Sequence, residues 1–490
     1  MYPVLLYLSL AIFAAVCVSY ARQDFASIFH PISFYLLFHG FIFVIRPLFA
    51  YYGEYNLIYG VYQFRPTMET KIAVIVAANL GLLAFVGGAA WTGNAPMVFK
   101  QTALHLEQRR RMIPAFLAAM ALLVPLGVAS LRNTMTTGFV GMVRIKGTGV
   151  TVNTTANGWF IDAQLLLVPC AMLFAWMFRF RWWSLLPLFG FIVGRATTGS
   201  RGPFIVACVA AGLAYLYERR MRYPDWRIVA TLYLLVTAFV RVGDDRGRAV
   251  RSWLEDGQAS EAVQSRTPFM KRMDFANLEF IEFIVHTIPE KTGTYGYFLD
   301  NLQVFTEPIP RKLWKGKPVG PPIELYNLFD HGNPIGMTSS LPGQGWAQLG
   351  YLGVLIWCGL WGLLLGKAYS KFARGSQDTV PVALYLCFLP IFVIAFRDGG
   401  LLTVVRSGAF YLAPVLLMAL FARWMGVPPF RLIEQAAVRA RRGSRPGASE
   451  IPPPPQERPP VGSAAGRRAA AASPVIVPRS QRPRGPAPAE

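Results

Sequence analysis

Two arginines interrupt an apolar part of the chain at residues 194–204, GRATTGSRGPF. Arg195 and Arg201 are six positions apart, small residues surround them, and the segment contains no acidic residue. An arginine without a partner at membrane depth is costly, and its planar guanidinium can bind two phosphate oxygens at once. The pair therefore predicts contact with an anionic group that the protein does not supply nearby in sequence.

Three further arginines, Arg241, Arg397 and Arg406, also stand at the ends of apolar runs. Snorkelling of the side chain to lipid headgroups explains any one of them alone. Five such arginines on one face favour a cavity with a shared anionic ligand, because arginine keeps its charge at every physiological pH. We therefore expect a polyanionic, lipid-embedded ligand such as a pyrophosphate.

A Pro- and Gly-rich segment later in the chain holds the other chemical groups. Asp330–His331 is the only adjacent acid–imidazole pair in the sequence. A histidine in a loop commonly has a structural role, whereas one placed over a membrane cavity near carboxylates can transfer protons. Upstream, four cations surround Trp314, which suits either a sugar beside a phosphate or the membrane interface: Arg311, Lys312, Lys315 and Lys317.

The elements that must position these residues are apolar helices. Of the 490 residues, 54% are hydrophobic and 15% are charged, with a mean hydropathy of +0.38, whereas soluble domains carry about 25% charged residues. The apolar residues form repeated runs close to the roughly 17–25 residues that cross a bilayer. The composition predicts an all-α polytopic membrane protein and argues against a soluble two-domain enzyme.

About eleven spans are predicted, near 2–20, 31–50, 71–92, 113–131, 159–178, 182–195, 203–217, 227–241, 345–366, 380–396 and 404–425. The first lacks a basic n-region and is interpreted as a helix rather than a cleaved signal peptide. The five cysteines lie inside spans without CxxC spacing, which argues against a disulfide framework or a zinc site. Four regions follow: N-terminal spans 1–241, a large loop 242–344, C-terminal spans 345–426 and a tail 427–490.

Short basic loops set the expected orientation. Four of them, at 100–112, 179–182, 218–227 and 366–375, alternate with longer or less basic loops. Lys and Arg accumulate in cytoplasmic loops, so we expect the N-terminus and the large loop outside and the C-terminus inside. This distribution explains the net charge of +22 better than nucleic-acid binding does. The Pro-, Ala- and Arg-rich tail is expected to be disordered, with arginines able to touch anionic lipids.

The large outer loop has two halves. The first shows helical spacing around Phe280, Ile281, Phe283 and Ile284, which predicts amphipathic helices on the bilayer or the bundle, with most charges solvated. The second is punctuated by Pro and Gly, which forbid long helices and indicate a fixed, turning path.

Three motifs carry a resemblance to a known family. TTGSRGPFI between two spans, PIPRKLWKGKP in the outer loop and SSLPGQGWAQLGYLGVLIWCGLWG entering the next span resemble the Wzy-type polysaccharide polymerases. These are oligosaccharide repeat-unit and O-antigen polymerases of bacterial inner membranes. The resemblance covers roughly residues 185–365, and the topology alone supports the rest.

The resemblance implies the multi-helix GT-C-like bundle of metal-independent glycosyltransferases that use lipid-linked sugars. It implies polymerisation of undecaprenyl-pyrophosphate-linked repeat units at the periplasmic face, with undecaprenyl pyrophosphate as the leaving group. Family members commonly carry an acidic residue where the loop re-enters the membrane, but this chain has Gln344. The candidate bases are therefore Glu324, Asp330 and His331.

The leaving pyrophosphate needs a fixed positive charge. The outer loops contain no DxD-like motif or His/Asp cluster beyond the bare pair Asp244–Asp245. We therefore expect no metal ion or other cofactor, and we expect Arg195 and Arg201 to bind the pyrophosphate, with Arg311 or Arg406 contributing.

Other functions share parts of this pattern. A flippase for the same lipids shares the cationic cavity but predicts paired, repeat-related broken helices, which the sequence does not indicate. An O-antigen-ligase-like enzyme would have a similar architecture, and sequence separates it poorly. A scaffold would use the Arg/Pro tail to recruit cytoplasmic partners, including other polysaccharide assembly proteins.

Overall fold

The computed structural model describes residues 1–53, 59, 63–137, 142–144, 151–153, 158–198, 201–231, 233–234, 276–309, 313–318, 320–332 and 338–443. The chain divides into a compact unit, Met1–Gln435, and a second unit, Ala436–Glu490. Only the end of one helix is described in the second unit, so the predicted disorder of the tail lies outside the described residues.

Eight described helices are long and apolar enough to cross a membrane: Tyr2–Ala21, Pro31–Gly53, Met68–Thr92, Ile113–Thr134, Trp159–Met177, Ser340–Arg374, Thr379–Asp398 and Leu401–Trp424. Two shorter apolar helices, Trp182–Gly194 and Ile205–Glu218, match the sixth and seventh predicted spans. The prediction of a polytopic helical membrane protein is therefore confirmed. The eighth predicted span, 227–241, falls largely outside the described residues.

We number the α-helices as follows: α1 Tyr2–Ala21, α2 Pro31–His39, α3 Arg46–Gly53, α4 Met68–Thr92, α5 Ala103–Arg111, α6 Ile113–Thr137, α7 Gly158–Asp162, α8 Leu167–Met177, α9 Leu186–Thr198, α10 Arg201–Glu218, α11 Asn277–Thr287, α12 Gln303–Thr306, α13 Ser340–Arg374, α14 Thr379–Asp398, α15 Leu401–Trp424 and α16 Phe430–Gly443. A π-helical segment, Gly40–Ile45, joins α2 to α3, and a 3₁₀ segment, Ala163–Leu166, joins α7 to α8. In the described part of the chain the strands are a hairpin, β1 Met142–Arg144 and β2 Thr151–Asn153.

Glycines bring the two central helices, α4 and α13, into backbone contact. A Cβ atom on Gly88 would lie 2.7 Å from the Gly359 carbonyl oxygen, and one on Gly362 would overlap the Phe85 carbonyl oxygen. Lipid tails are as apolar as the helices, so membrane helices gain stability from such close packing rather than from leaving water. The small residues of these two helices therefore fix the centre of the bundle.

Helix α13 reverses direction inside its own length. Leu349 and Gly350 have non-helical backbone angles, with φ of +59° at Gly350, a region that favours glycine. Gly353 packs back against Gly345, where a side chain on either residue would overlap backbone atoms of the other turn. The ninth span was predicted at 345–366. The structure instead has a short helix, 340–348, which we call the re-entry helix, before the long helix 351–374.

The predicted basic loops meet at one end of the bundle, which we call the basic end. Arg109 pairs with Glu218 at 2.8 Å, and Arg179 reaches the same carboxylate at 3.1 Å. His105 Nε2 lies 2.9 Å from the Ser376 carbonyl oxygen. The prediction that these loops share one side is thereby confirmed, whereas the placement of that side in the cytoplasm stays a prediction.

The opposite end, which we call the loop end, holds the described residues between 276 and 339. Helix α14 connects the two ends: the amide of Thr379 donates to Gln108 at the basic end, while Ser339 Oγ donates to the carbonyl oxygen of Asp398 at the other. Its twenty residues span about 30 Å, which is the thickness of a bilayer's hydrocarbon core. Residues 288–339 contain only short turns of helix in their described part, as Pro and Gly predicted.

Helix α11 departs from its predicted amphipathic, half-solvated form. Ten of its eleven residues are buried, because it inserts between α4, α13 and the π-helical segment. Glu279 is paired with the fully buried Arg46, and Glu282 accepts a hydrogen bond of 2.6 Å from Tyr59. The expected helix against the bundle is confirmed, but the expected solvation of its charges is wrong at these two positions.

Candidate functional site

A carboxylate absent from the sequence prediction, Asp300, lies at the point where the loop returns to the membrane. It sits on the 3₁₀ turn Leu299–Leu302, directly after Tyr297 and Phe298, whose φ angles of +48° and +62° are left-handed. The Phe298 amide donates to Gln348 Oε1, and its ring packs 5.6 Å from that of Trp357. Such backbone angles cost free energy in non-glycine residues and persist where the surroundings hold them. These contacts fix Asp300 against the re-entry helix.

Two glutamines of the re-entry helix hold the Asp300 carboxylate. Gln344 Nε2 donates to Oδ2 at 2.5 Å, and Gln348 Nε2 donates to the same oxygen at 3.1 Å. Burial raises the pKa of the Asp300 carboxyl above its ordinary value of 3.8, and these hydrogen bonds oppose the rise. No Lys or Arg in the described part of the chain forms an ion pair with it. Asp300 is thus a half-buried carboxylate suited to proton transfer.

Gln344, at the position where the resemblance led us to expect an acid, therefore still lies beside a carboxylate. The acid comes from residue 300, 44 positions earlier in the chain. The sequence carried no local signal for this contact, because it depends on the turn at Phe298 and on the reversal at Gly350.

The re-entry helix is seated on the turn between α14 and α15. Gly399 has φ of +70°, and a side chain there would overlap the Ser340 carbonyl oxygen. Asn277 Nδ2 donates to the carbonyl oxygens of Thr338 at 2.8 Å and Arg397 at 3.0 Å. Trp357 Nε1 donates to the Gly399 carbonyl oxygen at 2.9 Å. The contact between the re-entry helix and the turn from α14 to α15 is therefore closely packed and made largely by backbone atoms.

A cluster of four charged side chains joins the loop segment that carries Asp300 to α7 and α15. Arg406 Nε pairs with Asp162, and its Nη1 lies 3.9 Å from Glu307. Lys317 Nζ lies 3.6 Å from Glu307 and donates to that residue's carbonyl oxygen at 2.8 Å. Two cations and two carboxylates make this cluster close to neutral. Arg406, predicted as a pyrophosphate ligand, is therefore already engaged by protein carboxylates.

The three predicted bases lie on one described segment of the loop end, residues 320–332. Glu324 and Asp330 are exposed; partial burial and then the charge of Asp330 raise the pKa of Glu324 above 4.5. No hydrogen bond joins the Asp330 carboxylate to the His331 imidazole, and both belong to the described residues. The segment reaches the re-entry helix through Tyr326, whose Oη donates to the Ala347 carbonyl oxygen at 3.4 Å. The charge of Asp300, after burial, helps to raise the pKa of Tyr326.

The other predicted arginines are placed only in part. Arg195 lies in the last turn of α9, and Arg201 is the first residue of α10, so the backbone brings both to the connection between two packed helices. Their side chains lie outside the described part, as do Arg241 and Arg311 altogether. Arg397 is exposed at the end of α14.

A buried network that the sequence did not predict lies under the loop end. Arg46 Nε donates to both carboxylate oxygens of Glu279, at 3.1 and 3.0 Å, and Nη2 donates at 2.6 Å. Burial, and then the charge of Glu279, raise the pKa of Glu282 from 4.5 to about 7. The signal available in the sequence was a pair of acids one helical turn apart in NLEFIEFIVH, a segment too apolar for both to be solvated.

No group of three or more His, Cys, Asp or Glu side chains within the described ranges is arranged to hold a metal ion. The candidate groups that the structure describes are therefore an acid held by glutamines and a neutral ionic cluster, while the backbone of α9 and α10 places Arg195 and Arg201 at the connection between these helices. No protein-family model, curated protein or solved structure matches this chain.

Proposed function

We propose that this protein is a membrane glycosyltransferase that polymerises undecaprenyl-pyrophosphate-linked oligosaccharide repeat units into a surface polysaccharide. The observation that carries the proposal is the Asp300 carboxylate, held by Gln344 and Gln348 at the loop end. A sugar hydroxyl becomes a nucleophile when a positioned base accepts its proton. A carboxylate with a raised pKa is a stronger base than a solvated one.

In the proposed reaction the hydroxyl oxygen of the incoming unit bonds to the anomeric carbon of the growing chain's reducing-end sugar. The bond between that carbon and the pyrophosphate oxygen breaks, and its electron pair leaves with undecaprenyl pyrophosphate. Asp300 accepts the hydroxyl proton. Glu324, Asp330 and His331 are the alternative bases, but Glu324 and Asp330 are more exposed than Asp300.

We propose that the arginines stabilise the negative charge that develops on the leaving pyrophosphate. Arg195 and Arg201 are the first candidates, because Arg406 already pairs with Asp162. Arg241, Arg311 and Arg397 are secondary candidates. Arg406 can contribute only by sharing its guanidinium between Asp162 and the substrate.

The proposal places the loop end in the periplasm and the basic end in the cytoplasm of a bacterial inner membrane. The arrangement of basic loops at one end supports this orientation. The tail would then be cytoplasmic, where it can meet membrane lipids or assembly partners.

The test is complementation of a deletion strain with Asp300→Asn, followed by analysis of surface polysaccharide and lipid-linked intermediates. We expect wild-type protein to restore long chains and Asp300→Asn to accumulate single repeat units. Asp225→Asn, an exposed carboxylate at the basic end, is the matched control and should behave as wild type. Wild-type activity of Asp300→Asn would contradict the assignment of the base.

The deletion strain also separates the competing functions. Single repeat units on the carrier support a polymerase, whereas full-length polymer still attached to the carrier lipid indicates a ligase. Intermediates that remain on the cytoplasmic side indicate a flippase. Removal of residues 444–490 should leave chain length unchanged in a polymerase, whereas a scaffold would lose its role.

A further inference from the structure

A row of large apolar side chains is exposed on the loop segment that follows Asp300. We call it the loop surface, and its members are Leu302, Phe305, Ile309, Leu313 and Trp314. Phe305 is 75% exposed and Leu313 is 82% exposed. The first three members are spaced by three and four residues along consecutive turns, which places them on one side. Folded proteins rarely leave a large apolar patch in water, so the loop surface indicates a contact outside the chain.

Lys317 ties the two parts of the loop surface together. Its Nζ donates to the carbonyl oxygens of Glu307 at 2.8 Å and Ile309 at 3.2 Å, and its amide donates to the Trp314 carbonyl oxygen at 3.1 Å. The Lys317 side chain is therefore engaged by the loop itself. A sugar phosphate beside Trp314 would meet Lys315 as the exposed cation of the described segment 313–318.

The loop surface lies at the depth where α15 enters the bilayer. The segment that carries it packs against α15, and Glu307 Oε1 lies 3.9 Å from Arg406 Nη1. Helix α15 has 24 residues and rises about 36 Å, whereas a hydrocarbon core is roughly 30 Å thick. Arg406 lies about 8 Å inside the helix from Leu401, which exceeds the whole surplus of about 6 Å. The segment beside Arg406 is therefore level with the hydrocarbon boundary.

We propose that the loop surface inserts into the headgroup and upper acyl region of the bilayer, so that its partner is a lipid surface. Trp314 suits this position, because an indole ring combines an apolar body with a polar N–H and tryptophan accumulates at membrane interfaces. The exposed Lys315 can extend to lipid phosphates. The contact holds Asp300, two residues before Leu302, level with the headgroups. The inference goes beyond the proposed function and does not rest on it.

The chemistry of the loop surface favours lipid over carbohydrate or protein. Leu302, Ile309 and Leu313 offer no hydrogen bond to a sugar, whose hydroxyl groups would lose their bonds to water. A protein partner would have to displace the lipid around the neighbouring turn of α15, where Val405 is exposed. Lipid covers the loop surface without either cost.

The experiment uses the purified full-length chain in phospholipid nanodiscs that hold one copy each, without carbohydrate or another protein. The fluorescent amino acid acridonylalanine replaces Phe305, and in separate samples Leu416 or Glu290. Leu416 is exposed in the middle of α15 and serves as the lipid reference, whereas Glu290, exposed beside the charged Lys291, serves as the aqueous reference. The quenchers are phospholipids with a nitroxide near the glycerol or near the end of the acyl chain, and aqueous iodide.

We expect the label at 305 to lose about half of its emission or more to the nitroxide near the glycerol, because interfacial segments insert about 5–10 Å. The label at 416 should respond most to the nitroxide at the chain end, and the label at 290 to iodide. Leu302→Asp with Leu313→Asp should shift the label at 305 from nitroxide to iodide quenching. The matched control, Leu302→Met with Leu313→Met, keeps the apolar area and should leave the quenching unchanged.

Iodide quenching at 305 equal to that at 290 would overturn the proposal. Protection from iodide that appears only on addition of oligosaccharide, or only in discs with two copies, would assign the loop surface to carbohydrate or to a second chain instead. Should the double Asp variant fail to fold, the comparison of positions 305, 416 and 290 decides alone. Quenching requires no sugar transfer, so lipid contact without polymerisation refutes only the proposed function.

Discussion

The buried pair between Arg46 and Glu279 allows a prediction about how the loop end is attached to the bundle. Helix α11 carries Glu279, and the two side chains are 0% and 2% exposed. Glu279→Ala removes the carboxylate and leaves the guanidinium buried without its main partner. Removal of one member of a buried ion pair costs about 3–5 kcal/mol, because the remaining charge is uncompensated.

At high pH, Glu282 should reduce the loss of unfolding free energy caused by Glu279→Ala to the lower end of that range. Its carboxyl is close enough to Arg46 and Glu279 for both charges to affect its pKa, which burial and Glu279 raise to about 7. Removal of Glu279 lowers that pKa, so an ionised Glu282 partly replaces the lost partner above neutrality. At low pH Glu282 is protonated and offers no such compensation. We expect Glu279→Ala to cost about 3 kcal/mol at pH 8 and more at pH 6.

The free energy of unfolding is measured in bicelles at both pH values for wild type, Glu279→Ala, and Arg46→Met with Glu279→Leu. The double variant removes both charges at similar volume, so its unfolding free energy should lie much closer to that of wild type. The unrelated pair Arg111 and Glu107, both about half exposed, is the control, and its removal should cost less than about 1 kcal/mol. Equal losses for the single and double variants would refute the reasoning.

Three further outcomes are expected. Burial and Glu279 raise the pKa of Glu282 from 4.5 to about 7, so wild type should lose up to about 3 kcal/mol of stability as pH rises between these values, and Glu282→Gln should abolish that slope. If Asp300 is the base, polymerisation should fall as pH drops through its raised pKa. Gln344→Leu removes a hydrogen bond that lowers the pKa of Asp300, so the acid limb of kcat/KM should move to higher pH; an unmoved limb would exclude Asp300. Gly353→Val should force apart the re-entry helix and the long helix at Gly345, with a loss of folded yield that Gly87→Val does not cause.

The sequence predicted the helices well, because an apolar run of bilayer length has few alternative structures. It also predicted that the basic loops share an end, since positive charge is distributed by side. It did not predict the burial of α11, because the spacing of apolar residues in NLEFIEFIVH fits an amphipathic surface helix as well as a buried one. Only the partners Arg46 and Tyr59, more than two hundred residues earlier, make burial of its two acids tolerable.

The candidate base illustrates a different limit. Asp300 stands in GYFLDNLQ, an ordinary loop sequence, and acquires its environment from Gln344 and Gln348. That environment depends on left-handed backbone at Phe298 and Gly350. Neither the composition nor the hydrophobic periodicity of the sequence predicts left-handed backbone at these two residues. A motif that lacks its expected acid can therefore still form a site with one, when the fold delivers the carboxylate from another segment.

The ion pair of Arg406 bears on the interpretation of the two arginines in GRATTGSRGPF. The sequence predicted an anionic ligand for Arg406 on the same grounds, but in the structure the carboxylates of Asp162 and Glu307 lie beside its guanidinium. Asp162 ends α7, and Glu307 follows Asp300 by seven residues in the loop segment. A pyrophosphate beside Arg406 would meet this cluster's carboxylates as well as its cations. Net attraction for a pyrophosphate therefore has to come from positive charge outside the cluster.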